Sequence, residues 1–192
     1  MSSTGWNWPP KLSVLLAMMN VRICSTKEDM MCDMCKGATA EEANEKFRRM
    51  LDRYGVAIQG VEGDSANTAF VYTVGLTALQ GHPELLMSGR PLQDMARLLN
   101  ELADMVRFGG RRLEAGMLVA LQGRSVQLLD IPRASTVLLT ADTYYGEGVR
   151  ALQAIWADDD GHLPWEQRVP DTLTQPMYCM NAAAFSPKLR GW

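Results

Sequence analysis

Cys32 and Cys35, in the run Met31-Cys-Asp-Met-Cys, are the sharpest chemical feature of the sequence. Two thiols at that spacing chelate one soft metal ion or close as a redox pair with a lowered thiol pKa. A tetrahedral zinc site needs two further ligands, and the chain has no second Cys-x-x-Cys. The remaining donors are Cys24, Cys179, His82 and His162. Cys179 can return to the pair because chain termini often lie close together. The zinc expectation is therefore a site drawn from Cys32, Cys35, Cys179 and His162. A redox role wants the pair at a strand-to-helix junction. Here a helix follows but no strand pattern precedes it, which leaves two ordinary thiols in a reducing cytosol as the third reading.

Gly81-His82-Pro83-Glu84 is the second chemical candidate. A His and a carboxylate two residues apart can act as an acid/base pair or as metal ligands, and Pro83 fixes the backbone between them. The alternative is that His82 holds a loop while Glu84 faces solvent. No Gly-x-Ser-x-Gly nucleophile elbow occurs. Asp158-Asp159-Asp160-Gly161 invites calcium, but Leu163 and Val169 stand where an EF-hand wants Gly and Glu, so a turn is the better reading. Tyr72, Tyr145, Trp156 and Trp165 are the aromatic candidates for a ligand pocket, with core packing as the competing use. Gly-rich phosphate loops are absent. Arg107, Arg111 and Arg112 form a small basic patch that suits the end of a helix.

The elements that must position these residues follow from periodicity. Thr39 and Glu42 have capping-box spacing, and Phe47, Met50, Leu51 and Tyr54 form one apolar stripe ending at Gly55, so a helix is expected over 40–54. Residues 56–61 and 68–76 are rich in β-branched and aromatic side chains and flank the turn-like 62–67, which makes a hairpin. Residues 84–89 supply a third strand. Pro91 suits a first helical position, and Leu92, Met95, Leu99, Leu102 and Val106 carry helical spacing up to Gly109-Gly110. Residues 117–122 and 125–131 flank Gly123-Arg124, read as a two-residue hairpin turn. A short helix or irregular segment covers 133–145, and 151–157 is a strand.

Strands and helices mix without βαβ alternation, which predicts an α+β domain: a largely antiparallel sheet packed with two main helices. The domain organisation expected is an N-terminal extension or arm over 1–30, a globular α+β domain over 31–166 and an irregular C-terminal tail over 167–192. Residues 12–19 are apolar but far shorter than the ~20 a membrane span requires. Translation from Met30 or Met31 would leave the first residues as an upstream extension. A net charge of −3 excludes a nucleic-acid binder that works through bulk positive charge.

The joint order of five motifs resembles one known family. These are MCDMC at 31–35, YGVAIQGVEGD at 54–64, AFVYTVGLT at 69–77, GHPELLMSG at 81–89 and the run from Tyr144 to Glu166 that contains LQAIWADDDGHLPWE. They are similar to the bacterial domain of unknown function family numbered 4262, over about residues 31–166. The resemblance implies a shared fold without a known activity, in proteins found in actinobacteria and their phages, many beginning at the Met-Cys-x-x-Cys. The chain departs from the pattern at Gly89-Arg90, where members carry Gly-Leu.

The function expected is a small cytoplasmic binding or regulatory module acting on a host or cellular protein or a small ligand, with no nucleic acid and no membrane. The alternative is a metal- or thiol-dependent enzyme using Cys32 and Cys35 with His82 and Glu84, zinc being its cofactor.

Overall fold

Thr39 opens the first helix by exchanging bonds with Glu42. The Glu42 N–H donates to the threonine hydroxyl (3.2 Å) and the Thr39 N–H donates to the Glu42 carboxylate (2.8 Å). This satisfies two donors that a helix start leaves free. Helix α1 (Ala40–Tyr54) then runs to Gly55, whose φ of 75° lets the chain turn off. The computed structural model describes residues 39–165 apart from 66 and 159, together with residues 175–178.

The six strands are β1 (Ala57–Val61), β2 (Phe70–Val74), β3 (Glu84–Ser88), β4 (Leu118–Leu121), β5 (Arg124–Asp130) and β6 (Ala151–Trp156). They lie in one sheet in the order β1-β2-β3-β6-β5-β4. Two antiparallel meanders, β1-β2-β3 and β4-β5-β6, meet at the centre through the parallel pair β3 and β6. The sheet is therefore mixed and mostly antiparallel, and the fold is α+β. Helix α3 (Leu92–Arg107) carries the chain from the central β3 to the far edge at β4. Met95, Leu98, Leu99, Leu102 and Val106 sink from it into one face, onto Leu85, Met87 and Leu128 among others. Phe47 of α1 packs with Leu138 and Ala141 of the 138–145 region on Tyr72, Leu86 and Ala151, which belong to the opposite face. Every residue of β3 and β6 is buried. Covering on both faces is why these two strands read as nearly unbroken apolar runs rather than alternating ones.

Three local details differ from the sequence expectation. Leu76–Gln80 forms a short helix, α2, where the sequence had implied only the end of a strand. The β4–β5 turn is Gln122-Gly123, one residue earlier than expected, with φ of 49° and 79°. Positive φ at both positions is the turn that matches strand twist, and it frees Arg124 to pair with Leu121. Pro91 flanks α3 rather than starting it: its carbonyl accepts from the N–H groups of Asp94 and Met95. Over 133–145 the chain makes a turn of 3₁₀ helix at Ala134–Thr136 and then α4 (Leu139–Tyr145).

Gly75 joins β2 to α2 at φ 131°, and a Cβ there would overlap the Gly55 carbonyl oxygen and lie 2.8 Å from Val56 Cα. Gly81, at φ 62°, has nothing within 4 Å of a Cβ position. Gly75→Ala is accordingly expected to lower unfolding free energy by at least about 2 kcal/mol, and Gly81→Ala by about 1 kcal/mol. Urea denaturation of the two variants side by side measures both, and equal losses would mean that the Gly55–Gly75 backbone contact is not a constraint.

Candidate functional site

At the N-terminal end of β3, the ladder to β2 stops after Tyr72 and Leu86. The Thr73 side chain takes over. Its Oγ1 accepts from the Leu85 N–H (2.8 Å) and donates to Glu84 Oε2 (2.7 Å). Glu84 is fully buried, and its carboxylate also receives the N–H groups of Gly75 (3.1 Å), Thr77 (2.9 Å) and Leu76 (3.4 Å). Helix α2 has no side-chain cap at Gly75, so this carboxylate from four residues beyond its end serves as one. Burial pushes the Glu84 pKa above its ordinary value, against the hydrogen bonds from Thr73, Thr77 and Gly75, which pull it down. The Tyr145 hydroxyl sits against the Gly75 and Ala78 backbone beside it, and burial, then the Glu84 charge, raises its pKa.

His82 is also buried but is turned to a different element. Its Nε2 accepts the Leu113 N–H at 3.0 Å, which assigns the proton to Nδ1, donated to the Pro83 carbonyl at 2.6 Å. Burial and then the charges of Arg112 and Arg150 push its pKa down, against its two backbone hydrogen bonds. The imidazole thus clamps the loop after α3 while the carboxylate clamps α2. The sequence neighbours His82 and Glu84 are joined by no hydrogen bond among the described residues: His82 spends its ring nitrogens on backbone groups, and Glu84 its carboxylate on backbone N–H groups and the Thr73 hydroxyl.

A second polar cluster lies at the other end of the same strands. β3 and β6 pair only over Glu84–Leu86 and Ala151–Gln153, then separate. The Ala157 N–H bonds Ser125 of β5, so the preceding amide, at Trp156, faces β3. The side chain of Gln175 occupies that place: its Oε1 accepts the Trp156 N–H (3.1 Å) and its Nε2 donates to the Trp156 carbonyl (2.7 Å). Gln153 Nε2 donates to the Pro176 carbonyl (2.6 Å) and to Ser88 Oγ (3.3 Å), its Oε1 accepts the Tyr178 N–H (2.7 Å), and Ser88 Oγ donates to the same Pro176 carbonyl (3.1 Å). The Trp156 indole N–H closes the arrangement on the Ser88 carbonyl (3.0 Å). The Arg90 guanidinium stacks 4.7 Å over the Trp156 ring, its Nε buried without a partner among the described residues.

The other sequence candidates are dispersed. Tyr72 is buried in the core, and its hydroxyl accepts the Thr140 N–H (3.1 Å) in the first turn of α4, which has no cap of its own. Tyr145 packs in that same cluster, Trp156 on the α3 face, and Trp165 with Leu163 and Met177 over Ile155. His162 is exposed, with ligand atoms of Asp158, Asp160 and His162 within 4.8 Å of one another. Asp158 Oδ1 already accepts the Asp160 and His162 N–H groups, which is turn geometry. Cys32, Cys35 and Cys179 lie outside the described residues. Arg107 pairs with Asp104 and Arg112 with Glu114. Sequence reading did not single out Thr73, Ser88, Gln153 or Gln175. For Gln153 a signal existed: a lone amide inside the otherwise apolar run of β6.

Residues 50–170 match the sequence profile of the family described as Domain of unknown function (DUF4262), and the chain belongs to that family. Neither the curated proteins nor the solved structures contain a match to it. Among the described residues no helix is long and apolar enough to cross a membrane.

The two buried groups titrate with opposite consequences. A His whose folded pKa is lowered stabilises fully above its unfolded value, about 6.5, and loses that contribution as pH falls through it. A Glu whose folded pKa is raised contributes most below its unfolded value, about 4.3, and loses that as pH rises through the folded pKa. His82→Gln, which keeps one donor and one acceptor, is expected to flatten the loss of thermal stability between about pH 7 and about pH 5. Glu84→Ala strands four donors and is expected to cost about 3 kcal/mol at neutral pH. Melting curves across that range check both; a His82→Gln slope identical to the parent would refute the neutral, clamped imidazole.

Proposed function

We propose that the chain is a small cytoplasmic binding or regulatory module that engages a protein partner, and that His82 and Glu84 hold its fold rather than catalyse. The partner is a cellular protein of the bacterium, or of the host where a phage carries the gene. One observation carries this reading: the two candidate acid/base groups are each fully engaged by internal backbone and hydroxyl groups, and in different directions. A general base needs a lone pair within reach of a substrate proton. The Glu84 carboxylate is enclosed by the donors of Thr73 and the α2 start, and both His82 ring nitrogens are in use. The formal charge of −3 supports a protein rather than a nucleic acid as partner.

The competing enzyme reading rests on Cys32 and Cys35. Full chain purified without a polyhistidine tag is expected to carry substoichiometric zinc by plasma mass spectrometry and to react with a disulfide reagent at the rate of an ordinary thiol of pKa near ~8.5. About one zinc per chain, lost in a Cys32→Ser/Cys35→Ser variant, or a thiol reacting well below that pKa, would overturn the non-catalytic reading in favour of a metal or thiol centre.

A further inference from the structure

We propose that the gap where β3 and β6 part is a peptide-recognition site, which the chain fills in cis with its own segment Gln175–Tyr178 and opens to a segment of the same Gln-Pro-x-Tyr pattern from a partner. The inference deepens the binding-module reading and rests on it. In sheets with parallel strands, the carboxyl ends of adjacent strands that lead in different directions leave a crevice between them, and ligands settle there. β3 and β6 are the parallel pair of this sheet: from β3 the chain turns into α3 on one face, and from β6 it passes into the 157–165 loop.

The crevice is built for an amide ligand. Two side chains, Ser88 and Gln153, at 1% and 0% exposure, and the backbone of Trp156 line it. Gln153 brackets a single residue of the guest, donating to the Pro176 carbonyl and accepting the Tyr178 N–H, so it reads main chain, while the Met177 side chain packs with Leu163 and Trp165 over Ile155 and calls for an apolar residue. The other three positions are read more closely. Gln175 is required because its amide must both accept from and donate to the Trp156 backbone. Pro176 has no N–H to satisfy, while its carbonyl takes two donors, from Ser88 and Gln153. Tyr178 lays its ring on Phe70 at 5.4 Å. Without a guest, the Trp156 N–H and carbonyl would lose the Gln175 amide that satisfies both, and an unpaired buried backbone group is costly. The site therefore demands an occupant, and any segment that repeats these contacts competes for it.

The test uses the full chain and a fluorescent peptide of residues 172–178. A guest in trans binds only the fraction of molecules whose cis segment has left. Gln175→Ala weakens the cis segment, so its affinity for the peptide is expected to exceed that of the parent chain by about tenfold or more. A peptide with alanine in place of Gln175, or a Gln153→Leu change added to the Gln175→Ala chain, should abolish the gain. Equal affinity of parent and Gln175→Ala, or no binding by a Gln175→Ala chain that keeps its circular dichroism spectrum, overturns the proposal. Should Gln175→Ala unfold, amide hydrogen exchange on the unsubstituted chain decides. The Tyr178 and Trp156 amides are expected to exchange by local opening, at least about tenfold faster than the Leu99 amide of α3 after correction for sequence. Exchange of all three only through global unfolding makes the segment permanent core and refutes it. Those outcomes bear on the crevice alone; the zinc and thiol measurements decide the wider reading separately.

Discussion

Polar groups on the two central strands have to be satisfied from within the protein, and much of the non-repetitive structure exists to meet that requirement. β3 and β6 are covered on both faces, so Glu84, Ser88 and Gln153 cannot reach water. An unpaired buried polar group costs on the order of 1–3 kcal/mol, more when charged. Each therefore recruits a piece of backbone from elsewhere: α2 folds against Glu84, and residues 175–178 dock on Ser88 and Gln153. His82, in the loop before β3, draws in Leu113 by the same logic.

This division explains what was legible in the sequence. Helices α1 and α3 could be read because their information is local: a capping box and a glycine stop in one, an apolar stripe through Met95, Leu99, Leu102 and Val106 in the other. The strands could be read from composition, and the α+β class followed. Helix α2 could not, since five residues carry little periodic signal and its N-terminal donors are met by a carboxylate that comes later in the chain. The β4–β5 turn slipped by one because Gln122, not a residue type that favours positive φ, occupies the first turn position. His82 and Glu84 stood out by residue type, but their partners, Leu113 and Gly75–Thr77, are tertiary facts. Family membership rested on motif order over a long stretch, which is why it could be recognised without knowing any of these contacts.

The two ends of β3 answer the same demand with different chemistry, and the difference has consequences for motion. At the N-terminal end the partner is a carboxylate held by hydroxyl and amide donors within a short loop, with closure at Gly75 allowing no side chain. Parting the carboxyl group from its four donors would leave several buried polar groups unpaired at once, each costing on the order of 1–3 kcal/mol. That end is a fixed joint.

At the C-terminal end the hydrogen bonds among the described residues join neutral amides, carbonyls and hydroxyls, each worth a net ~1 kcal/mol because water replaces it well. Met177 adds an apolar contact to them, packing with Leu163 and Trp165 over Ile155. Bonds that water can replace suit the exchange proposed for that end, whereas a carboxyl group enclosed by four donors suits a permanent closure. The same sheet therefore carries a lock at one end of its central strands and a seat at the other.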